Sequence, residues 1–306
     1  MTQRNKSKTL PKELPLCPGP KLNLFRHHDS SIEWIERLGA YGGTPMEGYV
    51  FRARIENREY AINVFRFFDP TEDPMLYSFL LADPTLNNIV HSDDPFYCEC
   101  KAYGRINELI KKKKLPSISN VVTPCHGFLF LSDRNTRNLE KKFLVKLGLD
   151  EINLEYQEST VGGPMPRAIV KDLVPDTYDY WDGKMLNTML RGVLNLNRHG
   201  IYNRDIKENN YVGTQLVDFG RAWTLPNLIY DNFLDREKEE EVLIDVIRFR
   251  EMVQELFEYN YITAEDLRAV RHPMTRRSVV DSIPGELLKL LEDSQDEQDD
   301  QDDRDN

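Results

Sequence analysis

The sequence predicts an α+β chain of two lobes, a small β-rich one followed by a mainly helical, shortened one. Three observations carry this. Residues 48–65 hold two runs rich in β-forming residues around a tight polar turn. Three later segments repeat their apolar residues at the period of a helix. Between the second and third of these lies a polar run, Asn203-Arg204-Asp205-Ile206-Lys207-Glu208-Asn209-Asn210 and then Asp218-Phe219-Gly220, with acids and an amide at fixed spacing.

The first 30 residues carry several prolines and basic residues without a period and read as a flexible leader. The N-lobe is expected over residues 31–174. Ile32 to Leu38 alternates and leads into a glycine-containing turn, Gly48 to Ile55 reads as a strand, and Glu59 to Phe65 returns as its partner across Glu56-Asn57-Arg58. Asp94 to Lys114 reads as a helix, with Asp93 or Asp94 as cap, Pro95 in the first turn and Lys111 to Lys114 at the end where the macrodipole favours cations. Residues 133–164 are charged and weakly periodic and read as an insertion between strands. Arg167 to Val174 resumes a strand that runs into Pro175. The C-lobe, residues 175–291, begins with a helix from Lys184 to His199, stopped by Gly200. A third helix is expected from Glu237 to Glu258, and the acidic residues 292–306 read as a disordered tail.

The polar run has a chemistry. An aspartate, an asparagine five residues on and a second aspartate eight after that are the set with which protein kinases orient the acceptor and hold magnesium. On this pattern the fold is protein-kinase-like, Asp205 orients or deprotonates the acceptor hydroxyl, and Lys207 steadies the transferred phosphate. Asn210 and Asp218 supply oxygens to Mg2+, a hard cation that favours such donors. The expected cofactors are ATP and magnesium. Asn203 stands where kinases have His, and its amide can take over that residue's hydrogen bonds. Asp245 either anchors the catalytic loop from below or lies on the surface.

The nucleotide-binding half is less regular. Gly43 and Gly48 keep the first and third glycines of a phosphate-covering loop and Val50 its valine, but Pro45 replaces the middle glycine and removes an N–H donor. Asn63 stands where the motif has its phosphate-gripping lysine, while Glu99, that lysine's expected partner, is present. Lys101 and Lys171 are the alternative cations, although a lysine placed like Lys171 more often snorkels outward. Asp172 and Leu173 fall at the hinge, where backbone groups meet adenine. The chain after Gly220 lacks an Ala-Pro-Glu and soon enters helix, so a peptide-binding activation segment is missing or shortened.

Three strings, Asp94 to Arg105, Arg167 to Asp172, and Asn209-Asn210-Tyr211 running to Asp218-Phe219, resemble a fungal family of kinase-like inner-kinetochore subunits. The resemblance implies a kinase fold and, for some members, a scaffold role in chromosome segregation. Two functions follow as expectations: a divergent kinase with weakened catalysis, or a pseudokinase serving as an interaction module.

Composition sets the outer limits. A net charge of -11 argues against nonspecific nucleic-acid binding, though the tail could meet a basic protein partner. No apolar run approaches the ~18–20 residues of a membrane span, and no signal peptide is visible. The four cysteines lack metal spacing, which suits a reducing nuclear or cytoplasmic setting.

Overall fold

The computed structural model describes residues 14, 19–39, 47–68, 92–114, 121–145, 147, 165–175 and 180–271. Gly43, Pro45, the later part of the insertion and the acidic tail lie outside the described residues.

The N-lobe is a five-stranded antiparallel sheet in the order β1-β2-β3-β5-β4, built from β1 (Glu33–Leu38), β2 (Gly48–Ile55), β3 (Arg58–Phe65), β4 (Cys125–Phe130) and β5 (Arg167–Asp172). The β2–β3 turn is tight because Glu56 and Asn57 both take positive φ, 48° and 64°, the two-residue geometry that matches strand twist. Side-chain alternation divides the sheet. Phe51, Ala53, Tyr60, Ile62, Val64, Ala168 and Val170 enter an upper core, whereas Val50, Ala61, Asn63, Ile169 and Lys171 share the lower face by register.

The start of the expected insertion is a helix, α2 (Asp133–Phe143), capped by Ser132 and roofing the upper face. Leu139 is fully buried in that core, Phe143 lies 4.9 Å from Phe51, and the Lys142 ammonium donates to the Trp34 carbonyl. Under the sheet runs α1 (Pro95–Lys111), with Asp94 accepting from Phe96 N at 3.0 Å as cap. It is buried almost all round over its first three turns, as a helix enclosed on every side must be. Its cap is also an anchor: Asp94 pairs at 2.5 Å with Arg167, both wholly buried, and the guanidinium lies over the Phe96 ring.

The described part of the leader departs from the expectation of a flexible segment. Residues 19–30 are packed against the lobe. Leu22 N donates to Cys100 O at 3.0 Å, and residues 23–25 exchange hydrogen bonds with Phe128. Leu22 and Phe25 are buried. Gly104 makes room for this strap, since a Cβ there would lie 2.5–2.7 Å from the Lys21 backbone.

The C-lobe is helical. α3 (Gly183–Arg198) is capped by Asp182, buries Leu186, Met189, Leu190, Val193 and Leu196, and stops at Gly200 with φ 69°. Short paired strands β6 (Ile201–Tyr202), β7 (Tyr211–Val212), β8 (Gln215–Leu216) and β9 (Trp223–Thr224) frame the polar run. Then come a single turn α4 (Leu228–Asp231), the long α5 (Asp235–Glu258) and α6 (Ala264–Arg271). α5 presents Val242, Val246, Phe249, Val253 and Leu256 to α3, and α6 docks where Asp266 accepts from Gly183 N at 2.7 Å. Strand order, the helix after β3 and the β6–β9 arrangement make this a bilobal, protein-kinase-like fold.

Candidate active site

The polar run is held by groups outside itself. Arg204 has φ 64°, a costly conformation for a side-chain-bearing residue that its surroundings must enforce. Asp245, buried in α5, does so by accepting from Asn203 N at 2.8 Å and Arg204 N at 2.6 Å. Burial pushes the Asp245 carboxyl up to about 6 against the lowering effect of those two N–H groups. The Arg204 side chain reaches Glu241 at 3.0 Å and lies 3.5 Å from the Trp223 ring centroid, which ties the run to β9. Of the two places open to Asp245, the anchor is the one observed.

Asn203 then links the two aspartates. Its Oδ1 accepts from Asp205 N at 3.1 Å and its Nδ2 donates to Asp218 O at 2.6 Å. Asp205 Oδ2 accepts from Lys207 Nζ at 2.6 Å and Asn210 Nδ2 at 3.0 Å, while Asn210 Nδ2 also donates to Asp205 O at 2.7 Å. The Asn210 amide nitrogen is therefore turned to Asp205, and its oxygen points the other way. Val217 N donates to Asn210 O, placing Asp218 one residue beyond, with its Oδ1 accepting from Gly220 N at 2.8 Å. Asp205, Lys207, Asn210 and Asp218 thus converge at one mouth.

The upper wall corrects the expectation for the cation. Lys171 turns inward, is buried, forms an ion pair with Glu99 Oε1 and donates to Val217 O at 2.6 Å. Burial opposes its charge, but Glu99 and Asp218 outweigh it and hold the ammonium above its ordinary pKa. For Glu99 burial dominates over Lys171 and pushes the carboxyl up to about 7. Asn63, in the place of the usual lysine, donates to the other Glu99 oxygen at 3.3 Å. Pairing of Ala61 with Lys171 in the β3–β5 ladder explains the exchange: the lysine has moved one strand over while keeping the same face. Lys101, the other alternative, points away and donates to Pro226 O at 3.0 Å. Tyr103, one turn after Glu99, packs edge-on to Phe219 at 5.2 Å and under the Lys171 ammonium.

Other expected contacts divide. Val50 is 37% exposed and sits opposite Asn63 on the lower face. Gly48 is required by close approach, since a Cβ there would lie 2.5 Å from Val64 O. Asp172 leaves the group: its carboxylate is on the upper face, held by Arg58 at 2.5 Å and His126 at 2.7 Å, and its N–H donates to Pro124 O. Leu173, half-buried, is the next residue along the hinge.

Two residues were missed by the sequence reasoning. Glu47, immediately before β2, reaches down to Arg221 Nε at 2.8 Å. Burial first, and then Asp218, raise its pKa, while Arg221 opposes them. A Cβ on Gly220 would lie 2.5 Å from Glu47 Oε2 and 3.2 Å from Asp218 Oδ1, so the two carboxylates border one point. No local pattern marks Glu47 or Arg221. The parity of Lys171 with Ile169 in a buried strand, by contrast, was available as a signal.

The donor set can be tested against magnesium. Among the described residues no three His, Cys, Asp or Glu side chains form a metal cage. Asp218 and the Asn210 amide oxygen supply one charged and one neutral oxygen, which fits a cation that keeps its waters and completes its shell with substrate phosphates. Among the described residues no helix is long and apolar enough to cross a membrane.

The family described as kinetochore Sim4 complex subunit FTA2 matches residues 10–223. No curated protein matches the chain. Solved structures do; a structure of vaccinia related kinase 3 is 10% identical over 68% of this chain and 53% of that one, with a TM-score of 0.33. The chain thus spans about half the length of that structure.

Proposed function

The chain belongs to the FTA2 family of kinetochore Sim4 complex subunits, and from that premise we propose that it is a nuclear, kinase-fold subunit whose cleft binds ATP with magnesium and transfers phosphate weakly. The observation that carries the reading is the buried Lys171–Glu99 pair facing Asp218 and Asn210 across one mouth. An ion pair kept at that depth is a poor device for stability alone, because desolvation consumes most of its attraction. It is a good device for fixing an ammonium where phosphates enter.

In this reading Lys171 holds the α- and β-phosphates, Asp218 and Asn210 hold magnesium, and Asp205 orients the acceptor hydroxyl with Lys207 beside it. Magnesium supplies charge neutralisation of the phosphate oxygens when bound. The chain's own part is positioning: Asn203 and Asp245 fix the two aspartates, and Glu99 fixes the lysine. Transfer is weak because the segment after Gly220 is short and immobilised. β9 pairs with β6, and Lys101 and Arg105 bind Pro226 O and Leu225 O. That same feature favours a second role as an interaction module within the complex, since the backbone of residues 223–226 is already engaged by the chain's own groups.

Thermal unfolding with and without millimolar Mg·ATP tests the reading. Ligand at 100 times its Kd stabilises by about 2.7 kcal/mol, so Tm should rise by several degrees in wild type and not at all in Asp218→Ala. A wild type that does not respond leaves only the interaction module.

A further inference from the structure

We infer that Glu47 sets the nucleotide specificity of this cleft, its carboxylate standing in for a terminal phosphate so that the site holds a nucleoside diphosphate with magnesium in preference to the triphosphate. The inference rests on the nucleotide-binding reading above and deepens it.

The argument begins with position. In a kinase fold the residues just ahead of β2 cover the end of the phosphate chain, and the aspartate at position 218 faces them from below. Here that space contains a carboxylate from this chain. Glu47 Oε2 and Asp218 Oδ1 border the same point beside Gly220. The Glu47 backbone is fixed too, its carbonyl accepting from Arg66 N at 2.9 Å across the base of the β2–β3 hairpin. Its side chain is three-quarters covered and held by the Arg221 guanidinium at 2.8 Å. The partner is informative. Arg221 follows directly on Asp218-Phe219-Gly220, so it is carried by the same turn that aims Asp218, and a guanidinium is the side chain that best pairs with either a carboxylate or a phosphate.

Charge gives the selectivity. With a diphosphate bound through Lys171, Asp218 and Asn210 would hold the cation, and Glu47 would supply the anionic oxygen that a third phosphate brings elsewhere. With a triphosphate bound, the terminal group meets Glu47 in the same space. Two like charges at such a distance in a partly covered site repel by enough to shift affinity by an order of magnitude or more. The triphosphate therefore binds only by breaking the Glu47–Arg221 pair. Gly220 is glycine for a related reason: any side chain there would occupy the point that the two carboxylates share.

The test is calorimetric titration of the full chain with Mg·ADP and with Mg·ATP, for wild type, Glu47→Gln and Glu47→Ala. Wild type should bind ADP about tenfold more tightly than ATP. Both variants should gain about tenfold for ATP and lose about tenfold for ADP, reversing the preference. The conservative Gln variant keeps the side chain's size, and equal unfolding temperatures without ligand establish that the change is local. Equal ADP and ATP affinities in wild type, or a preference unchanged by either substitution, overturn the specificity role and leave nucleotide binding intact. Binding of neither nucleotide by any of the three proteins overturns this inference together with the reading beneath it.

Discussion

Residue 63 shows how the cation of a motif can be supplied from the neighbouring strand. The position where a lysine is expected holds an amide, yet the carboxylate that such a lysine would meet still has a cation, supplied by Lys171 from the next strand. An attempt to restore the motif should therefore fail. Asn63→Lys places a second ammonium beside Glu99, where Lys171 already sits, and should lower the unfolding free energy by about 1–3 kcal/mol. Lys171→Met alone leaves Glu99 buried without its partner and should cost about 3 kcal/mol. The double variant, which moves the lysine back to β3, should recover most of either loss. Urea denaturation of the four proteins reads this directly, and additive losses in the double variant would show that the two positions do not share one carboxylate.

At the scale of the element, α5 is a support for the polar run as much as a core helix. Its apolar stripe turns Asp245 inward, and that carboxylate holds two backbone N–H groups of a strained loop. The Asn197 amide, in the orientation that satisfies its neighbours, donates to the same carboxylate at 2.9 Å. The Asp245 pKa is about 6 when folded against an ordinary 3.8. Between those values the folded protein binds the additional proton, so this contribution to stability is whole below about pH 4 and is lost as pH rises through 6. Measured against Asp245→Asn, wild-type stability should fall by about 1–3 kcal/mol between pH 4 and pH 7. A gap that instead widens in favour of wild type over that range would mean the carboxylate is ionised throughout.

Across the whole molecule, the N-terminal strap, α1 and the cleft form one mechanical path. Residues 22–25 bind the carbonyl of Cys100 and both backbone groups of Phe128, so the strap clamps α1 to β4. α1 in turn carries Glu99 to Lys171 and, on another side, Lys101 and Arg105 to the carbonyls of Pro226 and Leu225. Gly104→Val should push the strap off, because its side chain would occupy the Lys21 backbone. Hydrogen exchange at the amides of 22–25 should then quicken by about tenfold or more, with a smaller rise at 99–105. Unchanged protection in both segments would separate the strap from the helix.

Much of this was legible in the chain. The β2–β3 hairpin, the three long helices and the Asp205, Asn210 and Asp218 set follow from local period, turn residues and spacing, which are properties of neighbours in sequence. The leader and the insertion were not legible. Their polar, proline-bearing composition reads as loop, and only contact with Gly104, Phe128 and Phe51 gives Leu22, Phe25 and Leu139 something to bury against. The chain by itself determined which acidic and amide groups gather in the lower cleft, because those groups sit within 14 residues of one another. Tertiary structure alone decided which lysine meets Glu99, which way Asp172 faces and where Glu47 reaches. Those outcomes depend on strand register and on the meeting of two lobes, where burial and charge act between residues far apart in sequence.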